Sequence, residues 1–179
     1  LPYFFIIDEI NRGNISKIFG ELLMLIESDK RDSPLRLLYK NENFSVPPNL
    51  HIIGMMNTAD RSLAVIDYAL RRRFGFFNMS PGFRSDGFAQ YQASVDSPTL
   101  DSLVETISAL NLAIADDPAL GLGFAVGHSF VSDAPKDDTV DVWLHSVVED
   151  ELIPLLQEYW FDEPGKVEEW SSRLRAAIS

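Results

Sequence analysis

The chain has 179 residues, 46% hydrophobic and 23% charged, the composition of a globular protein able to bury about 70% of its extended-chain surface. Its net charge of −12 is uneven: residues 1–78 carry ten Lys/Arg against nine Asp/Glu, residues 79–179 five against eighteen, and so acidic a second part repels phosphate backbones and anionic lipid. With no cysteine, no long apolar run and no leader-like start, disulfides, thiolate metal sites and a membrane span are excluded, and a soluble, cytoplasmic chain is expected.

Tyr3 to Ile7 is short, continuously apolar and rich in β-branched and aromatic residues, which predicts a central parallel strand covered on both faces. After the turn at Asn11-Arg12-Gly13, Asn14 can cap a helix whose apolar positions run at helical period from Ile15 to Ile26. Leu35–Tyr39 and Phe44–Val46 flank the turn-forming residues 40–43 and predict a β-hairpin. Leu50–Met56 reads as a second buried strand ending at Asn57, Ala64–Arg71 as a short helix, and Phe74–Met79 as a third strand. This order implies an α/β fold with a parallel sheet.

Composition changes at Pro81-Gly82. Beyond it, Phe88–Val95, Leu100–Ile114, Val140–Trp160 and Val167–Ile178 predict four helices, the third kinked or broken at Pro154. Two domains are therefore expected, 1–79 and 80–179. The lack of an initiator Met and a buried-type strand at position 4 suggest a fragment or processed product.

Three signals carry chemistry. Asp8 and Glu9 end the first apolar strand, where open parallel sheets bind ligands. In a nucleotide-driven enzyme this is the Walker B strand, with Asp8 serving Mg²⁺ directly or through water and Glu9 polarising the attacking water. Asn57, at the end of the second such strand, could orient that water without adding negative charge. By itself an Asn there is usually a turn former. Arg71-Arg72-Arg73 could project onto a neighbouring subunit's nucleotide, though a solvated basic turn is the plainer explanation of the run. No lysine is followed by Ser or Thr, so no G-x-x-x-x-G-K-[ST] loop is present. The chain reads as the second half of an NTPase, inactive by itself.

His51 is expected to be packed, His128 to occupy either a functional loop or a structural turn, and His145 to be solitary. No zinc-ligand spacing and no Gly-x-Ser-x-Gly elbow is present. Tyr159, Trp160, Phe161 and Trp170 are expected to pack the helical part.

Taken together, Phe5-Ile6-Ile7-Asp8-Glu9-Ile10-Asn11-Arg12-Gly13-Asn14, Met56-Asn57-Thr58-Ala59-Asp60-Arg61-Ser62 and Ala69-Leu70-Arg71-Arg72-Arg73-Phe74 closely resemble the McrB family, GTP-hydrolysing AAA+ subunits of methylcytosine-directed restriction systems. The resemblance extends through Gly127-His128-Ser129-Phe130 and Pro154–Tyr159. It implies an incomplete AAA+ P-loop NTPase core with a hairpin insertion, followed by an all-α lid. It further implies that Asp8 and Glu9 are the Walker B pair and Asn57 the sensor Asn, that Asp60 and Arg61 shape the nucleotide loop, and that Arg72 and Arg73 act in trans. Arg12 would be their companion and Asp67 an organiser of the interface. Where the family often has a basic residue two positions before Gly-His-Ser, this chain has Ala125, so no lid arginine is expected there.

From the resemblance alone come GTP as substrate with Mg²⁺, a ring of subunits, expected to be a hexamer, an McrC-like nuclease partner and a separate N-terminal domain reading methylated DNA. Two alternatives stand beside it. One is a MoxR-like AAA+ ATPase that remodels protein partners, and the other a non-catalytic assembly module.

Overall fold

The structure is a computed structural model and describes residues 1–38, 40–57, 59, 68–136 and 139–179. It divides into two compact units, Leu1–Asn78 and Met79–Ser179.

In the first unit, strand β1 (Tyr3–Ile7) is followed by helix α1 (Ile15–Phe19), strands β2 (Leu35–Arg36), β3 (Asn43–Phe44) and β4 (Leu50–Gly54), and helix α2 (Tyr68–Arg71). β1 and β4 pair in parallel, from Tyr3 opposite Leu50 to Ile7 opposite Gly54. β2 and β3 form the expected antiparallel hairpin, only two residues long on each side. The long loop connecting β1 to β4 carries α1, as parallel neighbours require a crossover.

Three expectations need correction. β1 is not covered on both faces: Tyr3, Phe4, Phe5 and Ile6 are between 49% and 62% exposed. Apolar sequence favours a strand wherever a ladder partner exists, but burial requires a layer over that ladder, and among the described residues none covers these side chains. The helix after Asn14 is shorter than predicted. Asn14 Oδ1 does accept from Lys17 N at 2.9 Å, as an N-cap should. Gly20, at φ 49°, then closes α1, a conformation that costs glycine little, and residues Gly20–Ile26 continue as a 3₁₀ helix. The third strand is absent, since residues 74–79 find no ladder partner among the described residues. Phe74 packs partly against the core while Phe77 stands 95% exposed. Of the helix predicted over 64–71, residues 68–71 are helical and 64–67 lie outside the described residues.

The core of this unit is small. Ile10, Ile15, Leu23 and Leu70 are buried together, with Ile7, Phe19, Ile26, Met56 and Phe74 packed around them.

The second unit is helical: α3 (Asp86–Val95), α4 (Pro98–Asp116), α5 (Val140–Ser146), α6 (Ile153–Tyr159) and α7 (Pro164–Ala177). Ser85 and Ser97 cap α3 and α4, accepting from Phe88 N and Leu100 N at 3.2 Å each. Along α4, Leu100, Leu103, Val104, Ile107, Leu110 and Ile114 recur every three or four residues and are buried, one face meeting one core. Pro154 lies in the first turn of α6, and the helical backbone runs on through it, with Ser146, Val147, Leu152 and Ile153 all in the right-handed helical region. A proline in a helix cannot donate to the preceding turn, and between α5 and α6 residues Val147–Leu152 widen into a π-helix.

Trp160 and Trp170 are buried and Tyr159 partly so, but Phe161, just past α6, is 83% exposed and does not pack the module. Asn111 on α4 clamps the glycine-rich loop, donating to Val126 O at 2.9 Å and accepting from Val126 N at 2.6 Å. Asp117 follows α4 and is nearly fully buried. It accepts from Trp160 Nε1 and Lys166 Nζ at 2.8 Å and from Ala119 N at 2.7 Å. The Lys166 and Trp160 hydrogen bonds hold its pKa down at about 2, against the opposing effect of burial. Among the described residues, no helix is long and apolar enough to cross a membrane.

Candidate functional site

The carboxyl ends of β1 and β4 lie side by side, because the pairing continues past both strands. Met55 N donates to Ile7 O and Ile10 N to Met55 O, each at 2.9 Å. Asp8 and Glu9 occupy the turn between these bonds. Both are exposed. Asp8 Oδ1 accepts from Glu9 N at 2.8 Å. Glu9 sits at φ 47°, ψ 47°, a left-handed conformation uncommon for a non-glycine residue. Such conformations cluster at functional sites. A short 3₁₀ turn, Ile10–Arg12, follows, and it brings the Arg12 guanidinium into an ion pair with the Glu9 carboxylate.

Asn57 lies three residues past β4 and is exposed. Its Oδ1 accepts from Ala59 N at 3.0 Å, an Asx turn that sets the side chain's orientation. Its amide Nδ2 is thus the group that can address a water. Asn57 O receives a second link, from Asn11 Nδ2 at 3.2 Å. Asn11 is buried and sequence reasoning gave it no role. Its signal was an amide two residues after the paired acids, in the turn that also carries the core residue Ile10.

The arginines are placed elsewhere. Arg73 Nη2 pairs with Glu27 Oε1 at 2.6 Å. Arg71 lies over the Phe76 ring at 5.8 Å, and Arg72 is exposed. Arg72 and Arg73 help line a cavity of about 770 Å³ with Glu27, Arg31, Leu50 and His51. This cavity opens at the amino-terminal half of β4, whereas the acids lie at the other end of the sheet.

Asp60, Arg61 and Asp67 lie outside the described residues. His51 is exposed and stacks on Phe4, with ring centroids 5.3 Å apart, so it is packed on one side only. An exposed strand face cannot bury it. His128 forms a structural turn: its Nδ1 accepts from Gly82 N at 3.0 Å and its ring meets Phe83 and Phe88 edge-on.

Among the described residues, no group of three or more His, Asp or Glu side chains converges as a metal cage. Magnesium in nucleotide sites is commonly held by one or two carboxylates with phosphate oxygens and waters, and the exposed Asp8 carboxylate fits that donor set.

Residues 2–74 match the AAA domain (dynein-related subfamily), and residues 102–168 match the McrB alpha-helical lid domain. The Type IV methyl-directed restriction enzyme EcoKMcrB subunit of Escherichia coli (strain K12) is 45% identical over 184 residues, covering 96% of this chain and 40% of that protein. The chain belongs to the McrB family of AAA proteins. The Type II restriction enzyme BsuMI component YdiS of Bacillus subtilis (strain 168) is 29% identical over 109 residues, 53% of this chain and 30% of that protein. The chain therefore spans less than half the length of either relative. Within the McrB family frame, the first unit carries AAA core sequence and the second the lid, and the fold is an incomplete α/β core followed by a helical lid.

Proposed function

We propose that this chain is part of a GTP-hydrolysing motor of a methylcytosine-directed restriction complex, in which hydrolysis with Mg²⁺ drives DNA translocation and cleavage. Glu9 polarises the attacking water and Asn57 orients it through its amide N–H. Asp8 holds Mg²⁺, which when bound neutralises charge on the phosphate oxygens. Asp60 and Arg61 shape the nucleotide loop and Asp67 organises the subunit interface.

The observation that supports this reading is the meeting of two exposed strand ends, one carrying paired carboxylates and the other an amide, joined by hydrogen bonds from Ile10 and Asn11. General-base chemistry needs a carboxylate and a positioning donor facing one accessible point. Arg72 completes a neighbouring subunit's site; Arg73 and Arg12 would join it only by leaving their ion pairs with Glu27 and Glu9 of their own chain. The subunits then form a ring, expected to be hexameric, which works in the cytoplasm with an McrC-like nuclease subunit. A segment outside this stretch reads methylated DNA. Lacking a phosphate-cradling lysine loop of its own, this stretch alone turns over no nucleotide.

The test is phosphate release by the full-length protein with GTP and with ATP, for the wild type and Glu9→Gln. GTP turnover that Glu9→Gln abolishes supports the proposal. ATP turnover in its place favours a remodelling ATPase, and no turnover of either favours an assembly module.

A further inference from the structure

We infer that Asn11 is a positioning residue of the hydrolytic site, holding the Asn57 amide at a set distance and angle from the Glu9 carboxylate. The inference rests on the roles proposed for Glu9 and Asn57.

The geometry argues it in three steps. Two hydrogen bonds among the described residues anchor the Glu9 turn to the continuation of β4. One is a main-chain bond from Ile10 N to Met55 O at 2.9 Å, the other a side-chain bond from Asn11 Nδ2 to Asn57 O at 3.2 Å. The first fixes the turn against the strand. Only the second reaches Asn57 itself.

Next, the Asn11 amide has one sensible orientation. Its Nδ2 faces a carbonyl, so exchanging oxygen for nitrogen would set two acceptors against each other. In the orientation observed, its Oδ1 is buried without a hydrogen-bond partner. A buried acceptor with no donor is destabilising, and an apolar side chain of similar shape would avoid it. The amide's one bond, to Asn57 O, is the compensation the structure offers.

Finally, Asn57 is held at both ends. Its carbonyl receives Asn11, and its Oδ1 receives Ala59 N at 3.0 Å. Together these bonds orient the Asn57 side chain relative to the main chain that bears it. Asn11 sits two residues after Glu9 in the same turn, so one buried side chain ties the carboxylate's backbone to the amide's backbone. Loss of that tie leaves both groups present but free to shift relative to each other.

The experiment uses the full-length protein with Asn11→Asp, which keeps the shape but replaces the donor with an acceptor, and Asn11→Ala, which removes it without a buried charge. Each is made in the wild-type and Asn57→Ala backgrounds. A displacement of about 1 Å at a reacting group costs on the order of 100-fold, so kcat is expected to fall about 10- to 100-fold while nucleotide Kd changes less than about threefold. In the Asn57→Ala background the same substitutions should cost less than about twofold in kcat, the non-additivity of groups that act as one unit.

An equal loss of kcat in both backgrounds, or unchanged kcat with a lowered Tm, overturns the inference and leaves Asn11 a folding residue. If Glu9→Gln and Asn57→Ala themselves leave kcat unchanged, the site reading fails and the inference with it. If they abolish turnover while Asn11→Asp and Asn11→Ala do not, the inference alone fails.

Discussion

Arg73 and Glu27 form an ion pair with Nη2 and Oε1 2.6 Å apart, and the Arg73 side chain is only 16% exposed. This arginine is turned into its own chain, while Arg72 beside it is exposed. The two are thus expected to respond differently to substitution. Arg73→Ala should destabilise the first unit by about 1–2 kcal/mol, because it leaves a half-buried carboxylate without its partner. Denaturant unfolding of the full-length protein measures this. Arg72→Ala should lower turnover by roughly 10³-fold. Mixing Arg72→Ala subunits with Glu9→Gln subunits should restore activity, since some interfaces then pair an intact Glu9 with an intact Arg72. No recovery on mixing would place Arg72 outside the neighbouring site.

Glu9→Gln should retain nucleotide binding and assembly while cutting hydrolysis by about 10²–10⁴-fold. The amide keeps the side chain's size but cannot take a proton from water. Because Arg12 pairs with Glu9, Arg12→Ala should lower turnover less than Glu9→Gln does. Single-turnover phosphate release with nucleotide binding measured in parallel separates these effects.

The acid response of the helical unit should report Asp117. Its folded pKa, about 2, lies below the ordinary value of 3.8, so the carboxylate's stabilisation is complete above about pH 4 and is lost as pH falls through about 2. The shift corresponds to roughly 2 kcal/mol. Urea unfolding followed by tryptophan fluorescence at pH 7, 4, 3 and 2 should show the decline, and Asp117→Asn should flatten it. An Asp117→Asn profile identical to wild type would assign the acid sensitivity to other groups.

Gly54 ends β4 directly behind the site. A Cβ there would lie 2.7 Å from Ile10 Cδ1 and 3.3 Å from its Cγ2. Gly54→Ala should therefore push Ile10, and with it the Glu9 turn, lowering both stability and turnover. Overpacking of this kind costs about 1–3 kcal/mol. Ile10→Val removes the nearer methyl, so the double variant should recover part of the loss in Tm. A double variant no more stable than Gly54→Ala would show that the clash is relieved elsewhere.

Legibility differed between the two units. Apolar period found α3 and α4 to within two residues at each end, because helix formation depends on neighbours along the chain and on one apolar face. Strand formation depends on partners distant in sequence. The apolar run at 74–79 thus reads as a strand yet remains unpaired, and the apolar β1 reads as buried yet stands exposed. In the site, Glu9 and Asn57 could be named from their place after apolar runs. Asn11 could not, because its importance lies in one hydrogen bond to a residue 46 positions away.

The amino-acid order by itself determined the paired carboxylates at one strand end, the amide at another, the arginine run, and an acidic helical second part. These follow from local pattern and residue chemistry. Tertiary structure alone decided that the two strand ends meet, that Asn11 joins them, and that Arg73 turns inward to Glu27 while Arg72 stays exposed. Parallel pairing of β1 with β4 is the physical reason that the strand ends meet: it sets both carboxyl ends at the same edge, a contact between stretches some 46 residues apart that no local pattern specifies.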